Sequence, residues 1–133
     1  MNTQKEKLSI LSEMISFAKV GNSIKQVEYD FLFNVAQQLG IRKTVFKDLF
    51  KTKSEHVIPK SQAARLVQFN RLILLMNVDD SQELNEIRRL HDIGLAMGLP
   101  PSAIQQVLSI MHKYPNRVVP PEVIISIFKA HYN

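Results

Sequence analysis

The stretch from Val20 to Ile41, VGNSIKQVEYDFLFNVAQQLGI, is answered 58 positions later, without a gap, by Val78 to Leu99, VDDSQELNEIRRLHDIGLAMGL. Val20/Val78, Ser23/Ser81, Glu28/Glu86, Leu32/Leu90 and Gly40/Gly98 coincide in register, and after a three-residue insertion Val57-Ile58-Pro59 is answered by Val118-Val119-Pro120. A repeated supersecondary unit has an apolar face that it cannot cover alone, so the two copies are expected to pack on each other around one shared core. The expected domain spans residues 1–133, with repeat 1 at about 20–77 and repeat 2 at about 78–131.

Helical periodicity runs through both copies. Leu8, Leu11, Met14, Ile15 and Ala18 follow the three-four spacing of a helix face and predict a first helix over 3–19. After Gly21-Asn22, the S-x-x-Q run Ser23 to Gln26 has the form of a capping box, and the helix it starts should turn Val27, Phe31, Val35 and Leu39 inward. Gly40 stands where a left-handed cap is wanted, and Thr44 is placed to cap a short third helix carrying Val45, Phe46, Leu49 and Phe50. Pro59 favours an extended Ile58, and Ser61 caps a fourth helix over 62–77 with Leu66, Phe69, Ile73 and Met76 apolar.

The second copy repeats these events. Asp80 to Glu83 forms an acidic box, Leu84, Ile87, Leu90 and Leu95 face inward, and Gly98 ends the fifth helix. Pro100-Pro101 opens a sixth helix that ends at Tyr114-Pro115, and Pro120-Pro121 opens a seventh with Val123, Ile124, Ile127 and Phe128 inward. No strand pattern emerges. The reading is all-α: seven helices in a single domain, one leading helix and a pseudo-twofold duplicated three-helix unit.

Composition narrows the function classes. With 45% hydrophobic and 22% charged residues the chain reads as globular rather than disordered, and with no cysteine it has neither thiolate metal ligands nor a thiol nucleophile. The N-terminal stretch is charged early and amphipathic, unlike a signal peptide, and the longest apolar run, Leu72 to Met76, is too short to span a membrane. A cytoplasmic location is expected. The formal net charge of +5 raises nucleic acid as a partner, but the charge is divided. Arg42, Lys43, Lys47, Lys51, Lys53 and Lys60 gather mid-chain, and Asp79, Asp80, Glu83, Glu86 and Asp92 gather in the second repeat. A basic half without interleaved aromatics or a reading helix argues for a solvated surface over nucleic-acid binding.

At the two repeat junctions, Ala18-Lys19-Val20-Gly21-Asn22 with Glu28, and Asn77-Val78-Asp79-Asp80 with Glu86, resemble the A-x-A/V-D-G-x-I-x-x-x-E signature of the tellurite-resistance TerB family. Relatives of that family include the N-terminal region of DjlA-type J-domain co-chaperones. The likeness covers about residues 8–128, including the Leu-Gly-Ile and Met-Gly-Leu helix ends. It implies an all-helical fold with internal pseudo-symmetry, a link to stress response and no established catalysis. In some relatives the signature acids are proposed to hold a divalent cation. The matching acids are Glu28, Asp79 and Glu86, while Gly21 stands where the family's Asp is usual in the first copy, and Asn22 and Asp80 replace its Gly.

Three functions follow as alternatives. The first is a non-enzymatic module that binds a protein partner, with Tyr29 and an exposed Phe33 beside the basic strip of Arg42, Lys43, Lys47 and Lys51. The second is a divalent-cation sensor built on Asp79, Asp80, Glu83 and Glu86, since a hard cation needs several converging oxygen ligands. Those same acids also suit the positive end of a helix as caps. An enzyme is the third, and nothing supports it: the four histidines lack H-x-x-x-H spacing, no nucleophile elbow or Gly-rich phosphate loop is present, and His91-Asp92 are helix neighbours that point apart. No catalytic residue and no cofactor beyond a possible divalent cation is assigned.

Overall fold

Three helix starts among the described residues are set by a side-chain oxygen, of Thr3, Glu28 or Ser61, that gives an otherwise unpaired backbone amide a partner. The computed structural model describes residues 3–19, 24–52, 56–78 and 84–131. Its helices are α1 (Gln4–Ala18), α2 (Gln26–Gln38), α3 (Lys43–Asp48), α4 (Gln62–Asn77), α5 (Leu84–Ala96), α6 (Pro101–Ile110) and α7 (Pro121–His131), with 3-10 turns at Met111–Lys113 and Pro115–Arg117. No strand occurs among these residues, and none of the helices is long and apolar enough to cross a membrane. The Glu6 amide donates to Thr3 Oγ1 at 3.1 Å, and the Thr3 amide donates back to Glu6 Oε1 at 3.3 Å. The Ala64 amide donates to Ser61 Oγ at 3.0 Å. α6 and α7 begin on Pro101 and Pro121, where a missing N–H costs nothing.

Contacts divide the chain into two compact units, Met1–Pro59 and Lys60–Asn133. In the first, α1 packs on α2 and α2 on α3. Extended residues 56–59 are held to α1 by one hydroxyl: Ser9 Oγ accepts from the Val57 amide at 2.7 Å and donates to the Val57 carbonyl at 3.3 Å. In the second, α4 packs on α5, α5 on α6 and α6 on α7. Gly94 lets α5 lie close there, because a Cβ at that position would sit 2.7 Å from Ile104 Cδ1 and 3.1 Å from Phe69 Cε1.

The 58-residue spacing recurs in the internal geometry of the two units. α1 and α4 start at residues 4 and 62, α2 and α5 at 26 and 84, α3 and α6 at 43 and 101. Buried positions match in the same register, as Leu11/Phe69, Met14/Leu72, Ile15/Ile73, Leu32/Leu90 and Phe46/Ile104. The helix ends match too. The Ile41 amide donates to the Ala36 carbonyl at 2.9 Å and the Leu99 amide to the Gly94 carbonyl at 3.0 Å, around Gly40 at φ 73 and Gly98 at φ 80. Both are left-handed caps that only glycine adopts without strain.

Four local expectations are corrected. Val27 is 45% exposed and Leu95 40% exposed, because the inward stripe of α2 runs through Leu32, Val35, Ala36 and Leu39, and that of α5 reaches Leu90 and ends on Met97. Thr44 lies inside α3, whose cap position is Arg42. Gln26 is the first residue of α2 rather than the far end of a capping box; its Nε2 donates to Asp30 Oδ1 at 2.8 Å. Ser23 and the acidic box at 80–83 lie outside the described residues.

Candidate functional site

Tyr29 and Phe33 stand one turn apart on α2, and Phe46 and Phe50 carry the same four-residue spacing across α3 and the turn after it. Packing α2 on α3 therefore interleaves four rings. Tyr29 meets Phe46 edge-on at 5.4 Å between centroids and stacks on Phe50 at 5.5 Å, while Phe46 and Phe50 are nearly perpendicular at 5.2 Å and Phe33 tilts against Phe46 at 5.6 Å. Each such pair adds about 0.5–1.5 kcal/mol beyond area burial. Phe46 is fully buried; Tyr29, Phe33 and Phe50 are half-buried. Phe33, expected to be exposed, is partly covered because α3 brings Phe46 against it.

The basic residues flank Phe46 and Phe50 along the chain. Arg42, Lys43, Lys47 and Lys51 are all exposed, and Lys43 Nζ sits over the Phe33 ring, 5.8 Å from its centroid. The structure thus brings Tyr29 and Phe33 to the same part of the first unit as the basic residues that follow α2. The sequence places Phe46 and Phe50 on the short third helix without linking them to Tyr29 and Phe33; the signal for their shared role was the equal spacing of 29/33 and 46/50.

One signature acid has a structural use here. Glu28 is buried, and its Oε1 accepts from the Lys25 amide at 3.0 Å, closing the start of α2. Glu86 holds the same third position of α5 and is half-buried. Asp79, Asp80 and Glu83 lie outside the described residues, and among those described no three His, Asp or Glu side chains are grouped to hold a metal ion. His91 and Asp92, helix neighbours expected to point apart, instead bring Nδ1 and Oδ1 to 4.0 Å, with Asp92 72% exposed, a pair that water screens.

Two further features lie in the second unit. Ser102 Oγ is 3.1 Å from His131 Nδ1, and His131 Nε2 is 3.2 Å from Gln106 Oε1, so the imidazole ties the end of α7 to α6. All three side chains are exposed, and a neutral amide gives an imidazolium no charge partner. Between α4 and α7 runs an apolar groove of about 320 Å³, lined by Leu66, Val67, Ile124, Ile125 and Phe128, with Val67 and Ile125 exposed. The doublets Leu66-Val67 and Ile124-Ile125 were its sequence signal, since each places one apolar side chain off the inward stripe.

No protein-family model, curated protein or solved structure matches this chain.

Proposed function

We propose that this chain is a TerB-like helical module, a pseudo-twofold duplication of a three-helix unit, and that it works without catalysis by binding a protein partner through the α2–α3 face. The duplicated reading is supported by the 58-residue register of helix starts, buried positions and glycine caps. One observation carries the functional reading: Lys43 poised over Phe33, beside half-buried Tyr29 and Phe50 and next to exposed Arg42, Lys47 and Lys51. Aromatic rings at a surface supply the apolar contact area that interface cores favour, and cations around them supply steering charge. Glu28, spent on a helix start, points away from a cation-sensing role for the first signature.

Co-purification from the native cell with wild-type protein and with Lys47→Glu/Lys51→Glu tests the surface. The variant is expected to lose the wild-type partner while melting at the same temperature, since both side chains are exposed. Retention of that partner by the folded variant refutes the assignment of this face.

A further inference from the structure

We infer that the occupant of the α2–α3 face is an acidic peptide segment, an inference that rests on reading this face as an interaction surface. Lys43, Lys47 and Lys51 are spaced four residues apart. The chain keeps turning beyond α3, with the Phe50 amide donating to the Lys47 carbonyl at 3.2 Å and the Thr52 amide to the Asp48 carbonyl at 2.9 Å. Within α3 a rise of about 1.5 Å per residue sets the backbone positions of Lys43 and Lys47 about 6 Å apart, one turn along the helix, and Lys51 follows on the tighter turn whose amide donates to the Asp48 carbonyl at 3.0 Å. A helical peptide with Asp or Glu every fourth residue presents carboxylates at that same interval.

Charge on the face is one-sided. Between Arg42 and Lys51 the only acid is Asp48, and on the adjoining helix Asp30 is engaged by Gln26 while Glu28 is buried. Next to Lys43, the rings of Phe33 and Tyr29 offer half-buried apolar area for one leucine or aromatic anchor of the peptide. A carboxylate drawn to Lys43 meets an ammonium already held over a ring, so less side-chain freedom is lost on pairing.

The same chemistry argues against single-stranded nucleic acid. Stacking platforms need ring faces open to bases, and here the rings are turned to one another, with Phe33 beneath Lys43.

The test is fluorescence anisotropy on the full chain with a labelled helical peptide carrying Glu at every fourth position and one leucine on the same side. A second peptide has every Glu replaced by Gln, and an oligothymidylate serves as competitor. Expected are saturable binding of the Glu peptide, weakening as salt rises, at least tenfold loss with Lys47→Glu/Lys51→Glu, and no displacement by the oligonucleotide. Equal binding of the Gln peptide, displacement by the oligonucleotide, or a concentration-dependent dimer mass blocked by the double variant would each overturn the acidic-peptide assignment. If no peptide binds yet the double variant still loses its cellular partner, the face stands and the occupant's chemistry is wrong. If neither binding nor partner depends on Lys47 and Lys51, the interaction surface itself fails.

Discussion

Asn77 and Arg117 are bonded twice across forty residues of chain: Asn77 Nδ2 donates to the Arg117 carbonyl at 3.1 Å, and Arg117 Nε donates to Asn77 Oδ1 at 3.4 Å. The bond closes on a strained loop, since Asn116 at φ 55 and Arg117 at φ 59 are consecutive left-handed residues and neither is glycine. Such residues cost about 1 kcal/mol or more each and persist only where surroundings hold them. One register earlier, Lys19 Nζ donates to the Phe50 carbonyl at 3.0 Å, tying the end of α1 to the segment after α3. In both units the end of the leading helix holds the loop that leaves the third.

Replacing Asn77 by alanine leaves the Arg117 carbonyl without this donor in a partly buried setting. Asn77→Ala is expected to lower unfolding free energy by about 2 kcal/mol in urea denaturation. Asn77→Asp should also destabilise, because a carboxylate keeps the Arg117 guanidinium as partner but cannot donate to the carbonyl.

Gly40 and Gly98 give a sharper comparison. A Cβ at Gly40 meets nothing within 4 Å, and at Gly98 only Arg65 Nη1 at 3.5 Å, so in both cases alanine is penalised by backbone strain alone. Gly40→Ala and Gly98→Ala should each cost about 1–2 kcal/mol and agree closely with one another. Gly94→Ala differs, as its Cβ would press on buried Ile104 and Phe69; overpacking of about 1–3 kcal/mol outweighs the gain in helix propensity, of at most about 1 kcal/mol. Thermal unfolding of the three variants checks both statements.

Glu28 closes the start of α2 through a carboxylate that accepts from the Lys25 amide. Glu28→Ala is expected to destabilise by about 1 kcal/mol, and Glu28→Gln by less, because the amide oxygen can still accept. Chemical denaturation distinguishes the two. Calorimetry with Ca²⁺ should give the same isotherm for wild type and Glu28→Gln; a loss of heat confined to the variant would return this acid to a metal role.

Phe46 and Phe33 separate packing from recognition. Phe46 is fully buried among three rings, so Phe46→Ala should cost about 3–5 kcal/mol. Phe33→Ala removes one half-buried ring and should cost roughly a third of that, while weakening any acidic peptide bound beside Lys43. Anisotropy and melting on the same samples resolve the two effects.

Where α4, α6 and α7 begin and where α2 and α5 end was legible in the amino-acid order, because each device acts within a few residues. Ser61 reaches the Ala64 amide, Gly40 and Gly98 adopt the left-handed turn, and Pro101 and Pro121 accept the place where an N–H has no partner. The recurrence at 58 residues was legible for the same reason, and the basic and aromatic members of the candidate face could be named. Which side of each helix is covered was decided by tertiary packing. Val27, Leu95 and Phe33 each have the same intrinsic hydrophobicity wherever they lie, and only packing determines their exposure, with Phe46 set against Phe33 and Val27 left 45% exposed. The Asn77–Arg117 bond and the Lys43–Phe33 contact belong to that second class: each joins groups that no local propensity brings together, and each exists because packed helices hold them within reach.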